Sequence, residues 1–171
     1  MIYILTGPVG AGKTSLLERS LPALRARHAG LDGYLSLRVL DGGETAGYDL
    51  LDVRTAARTP LLRRRGESAG APVGPYVLLP EGQRCAEAIL GRDRSGGLLI
   101  VDELGPLELA GGGVWPALTA ALAAGNRPAL AVVREALLAD FRVRFSGREV
   151  EVIPLAEAGA RRPFAGEGGA A

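Results

Sequence analysis

Several residue types that usually carry chemistry are almost missing from this chain. Its 171 residues hold one cysteine, one histidine, one methionine, one tryptophan, one asparagine and one glutamine. With Cys85 alone, an intramolecular disulfide is excluded, and Cys85 with His28 cannot build a zinc-type ligand cluster. Cys85 reads as a buried, inert thiol and His28 as an exposed residue at a helix end. No run approaches about 18 apolar residues, so no membrane span is expected. The opening Met1-Ile2-Tyr3-Ile4-Leu5-Thr6 has neither a basic leader nor a small-residue cleavage site. A signal peptide is therefore not expected, and a cytoplasmic location is the default. The net charge of +1 provides no strong field toward nucleic acid or anionic lipid, so neither is an expected partner. A monomer is expected.

The sharpest scarcity is lysine. Of 20 basic residues 19 are arginine, and the one lysine is Lys13. It stands in Gly7-Pro8-Val9-Gly10-Ala11-Gly12-Lys13-Thr14, a phosphate-binding loop signature. A compact ammonium on a slim stem threads a tight glycine loop where a planar guanidinium does not. The context fits on both sides, with an apolar strand ending at Thr6 and a helical pattern starting at Lys13. Residues 7–15 are thus the expected nucleotide-binding segment. Lys13 should bridge the β- and γ-phosphates, and the amides of Gly10, Ala11, Gly12 and Ser15 should cradle phosphate oxygens at a helix N-terminus. Thr14 should offer its hydroxyl to Mg²⁺.

The hydrophobic pattern predicts a buried strand over residues 2–6 and a helix over 13–29, kinked or interrupted at Pro22 and capped by Gly30. Strands over 33–40 and 47–53 flank an Asp41-Gly42-Gly43-Glu44 hairpin turn. Residues 54–72 lack periodicity and read as a mobile connection, followed by a strand over 73–79 and a helix over 80–90. Gly96-Gly97 breaks the chain before a continuous apolar strand over 98–103. A helix over 114–124, a strand over 129–133, a short helix over 134–141 and a last strand over 149–153 complete the pattern. The alternation predicts a three-layer α/β fold, with a mainly parallel sheet between helices and a β-hairpin insertion. Residues 1–157 form the expected single domain, and the Ala/Gly/Arg-rich residues 158–171 a fraying tail.

The strand Leu98-Leu99-Ile100-Val101 delivers Asp102 and Glu103 at its end. Asp102 is the expected Mg²⁺ carboxylate, and Glu103 the group that orients or deprotonates the attacking water. Phosphoryl transfer also asks for a charge-stabilising arginine. Arg54, Arg58, Arg63, Arg64, Arg65 and Arg134 are candidates that residue types alone do not separate.

With these elements in order, the chain resembles the small nucleoside triphosphatases first recognised in thermophiles and related to a human cancer-associated nucleoside triphosphatase. The resemblance spans roughly residues 1–155. Beyond the loop it rests on Gly33-Tyr34, Gly42-Gly43, Gly47-Tyr48-Asp49, Arg58-Thr59-Pro60-Leu61-Leu62-Arg63 and Val73-Gly74-Pro75-Tyr76-Val77. Val101-Asp102-Glu103-Leu104-Gly105-Pro106-Leu107-Glu108-Leu109 is its most specific part. The resemblance implies a P-loop NTPase fold and Mg²⁺-dependent hydrolysis of nucleoside triphosphates to diphosphates with loose base preference. It implies Arg58 and Arg63 as the arginines at the phosphates and places Glu108 near the site, whereas the residue pattern alone makes Glu108 a helix-surface carboxylate. The chain departs from the family pattern at Leu37 and Leu40, at Glu44-Thr45, at Pro106 where lysine is usual, and in the tail around Arg161 and Arg162. Base recognition is not carried over.

The leading expectation is therefore a Mg²⁺-dependent nucleoside triphosphatase acting on ATP and GTP, with CTP and UTP open to the same chemistry. The alternatives are a nucleotide or small-metabolite kinase, whose arginine-dense segment 54–65 would close on two substrates, and a nucleotide-dependent switch or assembly factor.

Overall fold

The computed structural model describes residues 1–66, 69–92, 97–125, 127–161 and 163–164. Among them nine strands form one sheet in the order β5-β6-β4-β3-β2-β7-β8-β1-β9. They are β1 (Ile2–Gly7), β2 (Leu31–Asp41), β3 (Glu44–Asp52), β4 (Arg58–Arg64), β5 (Ala71–Val73), β6 (Tyr76–Leu78), β7 (Leu98–Leu104), β8 (Ala129–Arg134) and β9 (Val150–Pro154). The run from β2 through β7, β8 and β1 to β9 is parallel, and the run from β2 out to β5 is antiparallel. The expected hairpin insertion is thus the root of a larger antiparallel wing.

The continuous apolar runs of β1, β7 and β8 put them mid-sheet, buried on both faces. Alternate residues feed two separate cores. Ile2, Ile4, Leu99, Val101, Ala129 and Ala131 pack on one face with residues of α2 (Pro80–Leu90), α4 (Trp115–Ala123) and α5 (Leu138–Arg144). Tyr3, Leu5, Ile100, Leu130 and Val132 pack on the other with Leu17, Leu21 and Leu24 of α1 (Lys13–Arg27). Among the described residues no helix is long and apolar enough to cross a membrane.

Three expectations are corrected. Residues 54–72 are not an irregular connection, because they contain β4 and β5. In β4 only Leu61 is buried, so no alternation shows, but its backbone pairs along β3 from Leu51 with Arg58 to Gly47 with Arg63. Pro22 lies inside one continuous α1 and does not end it, since Leu21 and Leu24 anchor the helix on both sides. Gly30 is not the cap, a place taken by the half-buried His28. The Gly30 carbonyl instead accepts the Leu98 N–H at 2.9 Å. At the expected end of the domain, residues 155–160 form a 3₁₀ helix, and Ala158 and Phe164 are buried on the α1 face. Arg162 and residues 165–171 lie outside the described residues, as do Gly96 and, in the 54–72 stretch, residues 67 and 68.

Gly33, paired with Ile100 in the β2/β7 ladder, has φ +106°, and a Cβ there would overlap the Ile100 carbonyl oxygen. Gly33→Ala is expected to destabilise by about 3 kcal/mol or more and to lower the melting temperature by roughly 10 °C, read by thermal circular dichroism.

Candidate active site

Three neighbouring parallel strands end together at one edge of the sheet, and each end carries a different group. β1 runs into the glycine loop, and β8 ends at Arg134, in register with Gly7. β7 carries Asp102 and Glu103 just before its last residue, Leu104. Its pairing with β8 breaks between Val101 and Leu104, which frees both carboxylates from the ladder.

In the loop, Gly10 and Gly12 have φ of +75° and +95° with open space around the missing Cβ, so backbone conformation is what asks for glycine there. Lys13 is buried, and its Nζ donates to the carbonyls of Gly7 and Pro8, each at 2.8 Å. Those bonds fold the stem back across the loop and hold the ammonium at its mouth. The Ala11 N–H bonds Pro8 O at 3.3 Å, while Gly12, in the left-handed region, opens α1 with no side-chain cap. The first-turn amides of that helix therefore face a position that favours an anion.

Asp102 is 1% exposed. Burial pushes its carboxyl up to about 7, against the pull of the Ser36 N–H, the Thr14 hydroxyl and the Lys13 charge. The Ser36 N–H reaches Asp102 Oδ2 at 3.1 Å, and Ser36 Oγ donates to the Asp102 carbonyl oxygen at 2.5 Å. Two contacts from β2 thus fix this residue, in addition to its bond with Thr14. Glu103 is about one-third exposed, and its Oε1 accepts from Arg134 Nε at 2.5 Å.

A cavity of about 440 Å³ joins these elements. Of the expected loop residues, Val9, Gly10, Gly12, Lys13, Thr14 and Ser15 line it, while Gly7 and Pro8 supply the carbonyls that hold Lys13. Glu103 and Arg58 line it as well, and Asp102 lies against it through Thr14 and Ser36. Arg63 does not. Its guanidinium is tied to Asp49 Oδ1 at 2.7 Å and to the carbonyls of Tyr48 and Leu62, and this cross-strand pairing takes it out of the cavity. Arg134 stands where Arg63 was expected. Lys13, Arg38, Arg58 and Arg134 face Glu18 and Glu103 there, so the lining carries an excess of positive charge.

Ser36, Arg38 and Tyr48 reach the cavity from the β2/β3 hairpin; Ser36 and Arg38 carry no motif that would single them out, and Tyr48 stands in the Gly47-Tyr48-Asp49 match without a role read from it. Tyr48 packs edge-on against Tyr76 with ring centroids 5.5 Å apart, and burial pushes its phenol up. Glu108 is neither on a helix surface nor in the cavity lining. It is buried in α3 (Pro106–Leu109), where its carboxylate accepts the Gly105 N–H at 2.9 Å and the Val114 N–H at 3.4 Å. Pro106 at the first helical position with a carboxylate two residues later was a readable helix-start signal.

A family model described as NTPase matches residues 2–158. The nucleoside-triphosphatase THEP1 of Thermofilum pendens is 31% identical over 144 residues, which are 83% of this chain and 78% of that protein. The solution structure of a human cancer-related nucleoside triphosphatase aligns with a TM-score of 0.67 at 26% identity, over 92% of this chain and 89% of that one. The crystal structure of THEP1 from the hyperthermophile Aquifex aeolicus aligns with a TM-score of 0.68 over 92% of each chain, a likeness of fold at 21% identity.

Proposed function

Because the chain belongs to this NTPase family, we propose that it is a Mg²⁺-dependent nucleoside triphosphatase that cleaves ATP, GTP and further nucleoside triphosphates to diphosphate and phosphate. The observation that carries the reading is one cavity where a lysine-bearing glycine loop meets a buried carboxylate and, next to it in β7, a second carboxylate.

The donor set suits magnesium. Asp102 is a buried carboxylate bonded to Thr14, and its strongly raised carboxyl reflects a site where a negative charge lacks full compensation. Among the described residues no group of three His, Cys, Asp or Glu side chains could hold a metal. That suits an ion which takes one carboxylate, water and substrate phosphates and avoids an all-protein cage. Thr14 and Asp102 would hold it, and the bound ion would neutralise charge on the β- and γ-phosphate oxygens.

The chain's own groups do the rest. Lys13 and the α1 N-terminus supply positive charge to the phosphates. Arg58, on the wing side of the cavity, supplies a second source of charge. Glu103 orients a water and takes its proton as the oxygen attacks the γ-phosphorus. The bond from that phosphorus to the β–γ bridging oxygen breaks, and the diphosphate leaves with that oxygen.

Phosphate release from ATP, GTP, CTP, UTP and the deoxy forms, with and without Mg²⁺, tests the reading. Release without any acceptor is expected with Mg²⁺, and turnover that needs an added acceptor would make the protein a kinase. Glu103→Gln should lower kcat by roughly 10²- to 10³-fold without weakening nucleotide binding. Turnover at the parent rate would remove Glu103 from the mechanism.

A further inference from the structure

We propose that Arg134 reads the γ-phosphate, bridging it to Glu103, and so makes the site discriminate a triphosphate from a diphosphate. This rests on the triphosphatase reading above and assigns a role that the reading does not use.

Three observations lead to it. The first is placement. Arg134 ends the strand between the two that carry the chemistry, with its backbone in register with Gly7 and its neighbour Val133 paired with Leu104. Arg38 and Arg58 reach the same cavity from the antiparallel wing, with no ladder tying them to the loop. The second is the bond itself. Arg134 meets Glu103 through Nε, and a guanidinium has five N–H donors. The terminal nitrogens have no bond to Glu103, so the same fork can serve a phosphate oxygen. The third is charge. If Glu103 handles the attacking water, the γ-phosphate must come close to its carboxylate. Two anions that near repel unless a cation lies between them. The side chain of Arg134 is about half exposed, free enough to follow the incoming group.

A diphosphate lacks the group that Arg134 would meet, so its affinity should be indifferent to this side chain. The test is titration calorimetry with Mg²⁺, comparing the non-hydrolysable analogue adenylyl imidodiphosphate with ADP. Arg134→Ala should weaken the analogue by about tenfold or more and leave ADP within about twofold, while Arg134→Lys should fall between. Adding Glu103→Gln to Arg134→Ala should restore several-fold of the lost analogue affinity, because the uncompensated carboxylate is gone. A purely structural arginine would weaken both nucleotides and show no such rescue. The proposal is overturned if Arg134→Ala binds the analogue like the parent, loses ADP equally, or is not rescued. Parent protein that binds the analogue but releases no phosphate from ATP would instead overturn hydrolysis and leave the γ-phosphate contact standing.

Discussion

Replacing Lys13 by alanine is expected to lower kcat/KM for ATP by about a thousand-fold or more, roughly 4 kcal/mol of transition-state stabilisation. No other lysine exists to substitute for it. The two carbonyls that hold its ammonium belong to the loop itself, so charge is delivered to one place by a side chain with little freedom left. Lys13→Arg should fail nearly as badly although it keeps the charge. The planar fork is too wide to satisfy Gly7 and Pro8 and still reach past Gly10 and Gly12. Phosphate release measures the loss, and the melting curve checks that the variants fold. Retention of a tenth of parent activity in Lys13→Arg would mean that the loop is wider than its contacts imply.

Asp102→Asn should separate stability from function. In the ligand-free protein the Asp102 carboxyl titrates near 7, above its usual value of 3.8, because it is buried. Between those two pH values the folded state binds more protons than the unfolded state, so stability falls as pH rises through that window. At pH 8 the buried charge costs as much as about 4 kcal/mol. Asparagine keeps an acceptor for the Ser36 N–H and carries no charge. Its melting temperature at pH 8 should exceed the parent's by about 5 °C or more, with the difference shrinking below pH 7 and vanishing near pH 4. Turnover should fall by about 10³-fold, since the carboxylate proposed to hold Mg²⁺ is lost. Equal melting curves at pH 8 would mean that the carboxylate is stabilised in the folded protein by something other than the groups named here.

What could be read in advance depended on how local the signal was. The glycine loop is contiguous, and its lysine stands out by composition. Asp102 and Glu103 mark the end of an apolar run that could only be an interior strand. Arg134 was one of six candidate arginines, and choosing it requires knowing that β8 lies between β1 and β7, which depends on pairings about 30 and 130 residues apart in the chain. Arg63 misleads for the same reason, because its partner Asp49 faces it across a strand ladder. Ser36 holds Asp102 through its backbone N–H and hydroxyl, a role that any serine in a strand could hide. β4 was invisible because backbone pairing, not burial of alternate side chains, makes it a strand.

The strand order also governs how this protein is made. β1 precedes every other strand described, it is buried on both faces, and its two neighbours, β8 and β9, are the last strands among the described residues. Until residues 129–154 have been synthesised, the Ile2–Gly7 strand has no partner for either edge. A nascent chain therefore carries an exposed apolar strand while the intervening residues are made, the condition under which strands pair with the wrong molecule. The loop that binds phosphate emerges attached to that strand. A nucleotide captured early would find a helix N-terminus but neither carboxylate nor Arg134, so the proposed site is complete only once residue 134 has been made.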